Sequence, residues 1–412
     1  MTPQGKQTII PNPTRRSVLT LPLILAAGRA HAGSDTKYGP GVSDTEIKIG
    51  QTMPYSGPAS SFGATGKAAA AYYRMVNDQG GVNGRKVNLL SLDDEFSPPK
   101  SVEAVRRLVE DDQVLGIFGS LGTPGNAAAQ RYLNGHRIPQ FFIFSGVARF
   151  RDPKRNPWSI AGDLAFASSA KAFAGHVLRT NPEGKIGVLF QNDDFGKDHL
   201  AGLRLGLGEK NAAMVAGTVS YEVTDPTVDA QIITLKESGA DVVMLATIPK
   251  FAALSIRKIH EIGWKPQILL AYPGATIEGA LKPAGLDAST GIVTVEYIKQ
   301  PGDPVWAGDP EMQAYLATMK KYAPDQNPND RTSVSGYHGA AMVVSLLKQC
   351  GDDLTRENLL RQATHMRDVR VPMLLPDVLV NTTPDNYMAI NQMRLQRFDG
   401  SGWVVFGDVV TG

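Results

Sequence analysis

The chain is read as an α/β protein made of two successive doubly wound arrays, on three observations. Short apolar runs of strand length alternate with stretches of helical period from Ile47 onward. The pattern covers residues 45–160 and restarts over 166–270. The runs end in loops of Gly, Ser, Thr and aromatic residues, the kind that lie at the carboxyl edge of a parallel sheet. With 412 residues there is room for two or three domains, and 42 glycines and 27 prolines suit many short connections.

In order, Ile47-Lys48-Ile49 alternates as a first strand, and its loop, 52–63, carries Tyr55-Ser56-Gly57-Pro58 and Phe62-Gly63. A helix over about 66–78 presents Ala69, Tyr72, Tyr73 and Val76 on one stripe and stops at Gly80-Gly81. Residues 87–92 form the second strand, and Ser97-Pro98-Pro99 opens a helix, with Ser as its cap. The unit 114–149 is a βαβ: an apolar run at 115–118, a loop with Ser120, Gly122 and Thr123, an Ala-rich helix, and a second run at 141–144. That second run ends in Ser145-Gly146-Val147-Ala148. Two small-residue loops at adjacent strand ends offer backbone N–H groups and hydroxyls to a small anion or carboxylate; either loop alone reads as a tight turn. The second array follows as strands at 186–190, 215–221, 242–246 and 268–271, with helices between them. Beyond it come a strand at 292–295, helices at 311–322, 334–350 and 355–364, and a hairpin over 392–406 around Asp399-Gly400-Ser401-Gly402.

The first residues read differently. Lys6, Arg15, Arg16 and Arg29 stand among residues 1–32 without an acid, an apolar segment covers 18–27, and Ala30-His31-Ala32 fits a cleavage site. This is an export signal, of the twin-arginine type by its Arg pair or of the ordinary secretory type. Its removal takes the formal charge from +2 to −2, which gives nucleic acid nothing to hold. No apolar run approaches the roughly 20 residues of a spanning helix, so no membrane insertion is expected. The single cysteine, Cys350, forbids an intrachain disulfide and is expected as a small buried hydrophobe. Catalytic signatures are missing: no G-x-S-x-G, no P-loop, and His260-Glu261 lacks a second histidine. Seven histidines without ligand spacing leave no metal site to propose, and no cofactor or catalytic residue is expected.

In order and spacing, several marks resemble one family: I-K-I-G-Q-T-M-P-Y-S-G-P-A-S-S-F-G at 47–63, N-D-Q-G-G-V-N-G-R-K at 77–86, the 119–149 unit, Q-N-D-D-F-G at 191–196, L-K-E-S-G-A-D-V-V at 235–243 and S-G-Y-H-G-A at 335–340. The chain is similar over 45–412 to the periplasmic solute-binding proteins of ABC transporters, of the leucine/isoleucine/valine-binding type. The resemblance implies two Rossmann-like lobes joined by a three-strand hinge with a ligand cleft between them: 45–163 with 273–378, and 164–272 with 379–412. It implies a periplasmic, monomeric, non-enzymatic protein that delivers a small carboxylated solute to a permease in the inner membrane, a branched-chain or related amino acid first. An aromatic acid, an amide or urea as ligand, or a role as a periplasmic sensor, stays open. By position, Thr123 with Ser145, Gly146 and Val147 would hold the carboxylate, Phe62 would cover the ligand, and Phe195 stands where amino-acid binders often have Tyr. Asp225 would meet an ammonium, with Glu222 or Glu296 next in line, and Tyr272 is a further cleft residue. Asp225-Pro226 equally reads as a helix start, Phe62 and Phe195 as core aromatics, Thr123 as a helix cap, and Arg149 as a surface partner of Asp152.

Overall fold

The computed structural model describes residues 37–412. The export signal expected at 1–32 lies outside the described residues. Five strands form a wholly parallel sheet: β1 (Glu46–Met53), β2 (Lys86–Asp93), β3 (Ile117–Phe118), β4 (Gln140–Ile143) and β5 (Ser159–Ala161), in spatial order β2-β1-β3-β4-β5. Seven form a second: β6 (Ile186–Gln191), β7 (Val215–Tyr221), β8 (Val242–Ala246), β9 (Gln267–Leu270), β10 (Val293–Glu296), β11 (Gln392–Phe398) and β12 (Trp403–Thr411), in order β12-β11-β10-β9-β8-β6-β7. The first five strands of each sheet therefore share one order, with the winding direction changing between β1 and β3 and again between β6 and β8. In such sheets the loops at the change of direction open a crevice outside the carboxyl ends of the strands.

Apolar runs became strands because both faces are covered: Ile47, Ile49, Ile186, Val188 and all of β8 are buried. The helix at 98–106 does begin on its two prolines, but the Ser97 side chain makes no cap hydrogen bond. Asp193, Asp309, Asp330 and Thr355 do cap their helices through side-chain oxygens. Cys350 is buried and unpaired.

Three segments carry the chain between the sheets. The first, Gly162 to Ala165, follows β5; the second, Tyr297 to Gln300, follows β10; the third, Ala389 to Asn391, precedes β11. They lie side by side. Tyr297 Oη donates to Asp163 Oδ1 at 2.6 Å, and Ala161 bridges to Met388. The expected bounds put 273–378 with the first lobe. Instead β10 pairs with β9 and with the hairpin strand β11, inside the larger sheet. A hairpin needs a paired strand to dock on, and β10 supplies that edge.

One close approach fixes the helix layer of the first sheet. The helix Arg331–Cys350 is buried along nearly its whole length and packs on the helix Gly63–Asp78. At Gly336 a Cβ would lie 1.9 Å from Thr65 O, so only glycine lets the backbones meet. Replacement by alanine must push the helices apart, and overpacking of this kind costs about 1–3 kcal/mol. Gly336→Ala should lower the free energy of unfolding by that amount, read in urea as a lower midpoint at an unchanged slope. A midpoint equal to that of the wild type would show that the contact relaxes freely.

Candidate functional site

A cavity opens where the carboxyl edges of the two sheets face each other. It holds about 560 Å³ of empty space, part of it open to solvent. From the first sheet it takes Phe62 and Thr65 after β1, Phe96 after β2, Leu121 to Thr123 after β3, and Phe144 after β4. The first crossing segment and the helix behind it add Asp163 and Phe166. From the second sheet come Gln191 and Phe195 after β6, Ile248 after β8, and Tyr272 and Pro273 after β9. Arg331, Thr332 and Ser335, from the first turns of their helix, close it. Both changes of winding direction thus feed one space, which is where a small ligand is expected in this architecture.

Phe62, Thr123, Phe195 and Tyr272 line the cavity as expected. Ser145 stands one layer back, its hydroxyl 2.7 Å from that of Thr123. Two neighbouring hydroxyls hold one another and leave a lone pair or proton for a third partner. Gly146 and Val147 do not line the cavity. Gly146 clasps the next segment: its carbonyl accepts from Phe166 N at 3.1 Å, and a Cβ there would meet Leu164 O at 1.8 Å. Val147 is a core side chain. The cause lies upstream, in a register shift between Phe141 and Ile143 with Phe142 at φ 56°. A bulge of this type redirects the residues that follow.

Asp225 is a correction. It does not line the cavity. Its carboxylate accepts from Glu222 N at 2.8 Å, and its carbonyl accepts from Lys250 Nζ at 3.1 Å. It follows β7, the outer strand of its sheet, and its loop contributes no residue to the cavity lining. Of the two acids named after it, Glu222 accepts from Asn192 Nδ2 at 2.6 Å in an exposed loop, and Glu296 is buried against Arg331. Arg149 is not bound to Asp152 either; its Nη1 lies 2.8 Å from Asp194 Oδ2, across the cleft.

Asp163 and Arg331 are the charged groups lining the cavity, and neither was expected. Asp163 Oδ1 accepts from Tyr297 Oη at 2.6 Å and from Leu164 N at 2.9 Å. The Tyr272 hydroxyl also stands beside this carboxylate and is shared between it and Leu164 O, which lies 2.8 Å away. Burial holds the Asp163 carboxyl above its ordinary range, against the pull of Arg331 and the Tyr297 hydroxyl. Arg331 is forked onto Glu296, Nε to Oε2 at 2.6 Å and Nη2 to Oε1 at 2.9 Å. Burial works against the Arg331 cation, but Glu296 and Tyr297 outweigh it and its pKa is raised. Thr332 Oγ1, also on the lining, is buried and has no hydrogen-bond partner among the described residues. Behind the wall, His199 stacks on Phe166 with centroids 4.8 Å apart, and burial pushes its pKa down to about 4, so the ring stays neutral.

These groups could not be found by motif. Asp163 follows a strand of three residues, too short to show alternation, and Arg331 reads as an ordinary first-turn residue. Among the described residues no group of three or more His, Cys, Asp or Glu is placed to hold a metal, and no helix is long and apolar enough to cross a membrane.

Asp193 links cap and cavity. It accepts from Gly196 N at 3.2 Å at the start of its helix and from Gln191 Nε2 at 2.6 Å, so it positions Gln191 and Phe195 together. Burial pushes its carboxyl up from 3.8 to about 6. The folded chain therefore keeps a proton that the unfolded chain has already lost between those values. Its contribution to stability falls as pH rises from 3.8 to about 6, by roughly 2–3 kcal/mol. Asp193→Asn should flatten that part of the stability–pH curve, measured by urea unfolding at pH 4 and pH 6.5; an unchanged difference between the two would refute the assignment.

The profile of the periplasmic binding protein family matches residues 46–402. The "Leu/Ile/Val-binding protein homolog 7" of Brucella abortus (strain 2308) is 24% identical over 337 residues, covering 79% of this chain and 80% of that protein. Among solved structures, a branched-chain amino acid ABC transporter protein from Thermus thermophilus with bound valine superposes with a TM-score of 0.81 at 16% identity, covering 90% of this chain and 98% of that one. A solute-binding protein of an ABC transporter from Rhodopseudomonas palustris BisB5, in complex with 3,4-dihydroxybenzoic acid, gives 0.75 at 18% identity over 89% and 98%. With this profile matched over most of its length, the chain belongs to the periplasmic binding protein family.

Proposed function

We propose that this protein is the substrate-binding component of an ABC importer, exported to the periplasm by its twin-arginine or secretory signal and working there as a monomer that delivers its solute to an inner-membrane permease. The solute is a small amino acid with an apolar side chain. The observation that carries the reading is the Asp163 carboxylate, the one acid among the described residues that lines this cavity of aromatic rings, with oxygens that can accept. An ammonium is the group that such an oxygen recognises. The Thr123 and Ser145 hydroxyls, 2.7 Å apart, supply neutral donors for the α-carboxylate, and directed hydrogen bonds in a dry cleft hold such a group without a free cation. The Ser145–Val147 loop is clasped to the Asp163–Phe166 segment, so the two halves of the headgroup site are positioned together. Phe62, Phe144 and Phe195 then surround the side chain. The lobes are the two sheets with their helices, and the solute closes them by touching both.

A second reading, an aromatic acid as solute, is favoured by the number of rings on the lining and by Phe195, which has no hydroxyl to offer an amino acid. The two readings separate on the ammonium. Calorimetric titration should give tighter binding of L-leucine or L-phenylalanine than of 4-methylpentanoate or 3-phenylpropanoate, which lack it. Asp163→Asn should weaken the amino acid about ten- to a hundredfold, the value of a hydrogen bond to a charged group, and leave the deamino acid unchanged or improved. Thr123→Val should weaken both. An amino acid that binds Asp163→Asn as tightly as wild type, or a deamino acid preferred by wild type, would turn the assignment to the aromatic acid. Saturation with the bound solute should also shrink the radius of gyration in small-angle scattering; an unchanged radius would count against closure.

A further inference from the structure

Glu296 stands behind the cavity wall. It does not line the space, its side chain is 1% exposed, and both oxygens are engaged. Oε1 accepts from Tyr297 N at 3.0 Å and Arg331 Nη2 at 2.9 Å; Oε2 accepts from Arg331 Nε and Gln300 Nε2, each at 2.6 Å. No solute can reach it. Arg331, by contrast, lines the cavity and has N–H groups to spare: its third contact is Nη1 to Ser335 Oγ at 3.3 Å, and a guanidinium carries five. Its plane is held against Tyr272 and Tyr297, at 5.1 and 5.7 Å from the ring centroids. Buried charge pairs are often replaceable by apolar residues of equal volume without loss of stability, so packing alone does not call for one here. The pair has an electrostatic consequence. Arg331 is the only cation among the described residues that line the cavity, and it interacts with both Glu296 and Asp163, so these three groups hold one acid in excess of the single cation.

We infer that Glu296 is a charge-selecting residue that acts through Arg331: by neutralising the guanidinium on the cavity wall, it makes the cavity favour solutes bearing an ammonium over simple or dicarboxylic anions. The inference rests on the cavity being the solute site, as proposed above, and it does not require the solute to be an amino acid.

The test uses two probes with one phenyl body and opposite charge, 3-phenylpropanoate and 3-phenylpropan-1-amine, titrated calorimetrically at fixed pH and salt. The proteins are wild type, Glu296→Gln, Arg331→Gln and the double variant, each as the full exported chain. Wild type should bind the amine more tightly. Glu296→Gln should raise the acid-to-amine affinity ratio by about tenfold or more, because a desolvated unit charge a few ångströms away is worth at least that. Arg331→Gln should lower the ratio, and the double variant should restore the wild-type ordering. A purely structural pair would change both affinities together and leave the ratio alone. The inference is overturned by an unmoved ratio in the single variants, by wild type preferring the acid, or by wild type binding neither probe. If the single variants do not fold, the wild-type and double-variant orderings still decide. Failure of L-leucine and L-phenylalanine to bind would sink the amino-acid reading and leave the ranking of these probes as the measure of Glu296.

Discussion

A guanidinium and a carboxylate that have both left water must remain together, because either one left alone keeps the whole desolvation cost. Arg331 and Glu296 impose that condition on this molecule. Glu296 ends β10 in the larger sheet; Arg331 begins the long helix that packs on Gly63–Asp78, in the layer covering the smaller sheet. Their fork, at 2.6 and 2.9 Å, ties one lobe's sheet to the other lobe's helix layer. Tyr297, the next residue, donates to Asp163 in the first crossing segment, so the hinge is tied to the same point. The contact at Gly336 then transmits the helix position to Thr65, which shares the cavity wall with Thr332 and gives its hydroxyl proton to Thr332 O at 3.1 Å. The polar pole of the cavity is therefore placed by long-range pairing, and its apolar walls by strand-end loops.

The two sheets arrive at that cavity by one rule applied twice. Each winds outward from its first strand in one direction and then in the other, and a gap between diverging loops follows from that order. Loops after β1, β3, β6 and β8 flank the two gaps, and they contribute Phe62, Thr123, Phe195 and Ile248. The same rule explains what is missing. β7 is the outermost strand, and its loop satisfies itself through the Asp225–Glu222 turn.

This sets how much was legible beforehand. Strand ends can be seen in a sequence, because an apolar run stopping at Gly, Ser or Thr has a local cause, as in the loop with Ser120, Gly122 and Thr123; Phe62 and Phe195 were named from the family resemblance, and Thr123, Phe62 and Phe195 all lie on the cavity wall. The strand order cannot be seen, since it depends on which apolar faces find each other, and Asp225 was misjudged for want of it. Asp163 was hidden by the shortness of β5. Gly146 and Val147 were displaced from the wall by a bulge at Phe142, whose positive φ no residue type announces. β10 looked like the return to the first lobe because it follows a full array, yet only its pairing with β9 and the hairpin reveals its sheet. Arg331 and Glu296 stand 35 positions apart, and nothing local in either segment refers to the other.

The placement of charge also bears on what moves. Outside the cavity, the lobes touch through Arg149 with Asp194, both nearly half exposed, and through Ala148 N with Asp198 Oδ2 at 2.7 Å. An exposed ion pair contributes about 0–1 kcal/mol and less in salt. Contacts of that size bias an equilibrium slightly; carrying it from 1:99 to 99:1 takes about 5.5 kcal/mol of differential binding. A difference of that size has to come from the cavity, between rings of both lobes and beside the Asp163 carboxylate. A cleft whose rim contacts are weak leaves the balance to its interior, where Asp163 and the Arg331–Glu296 pair set the charge that meets whatever enters, while salt acts on the exposed rim.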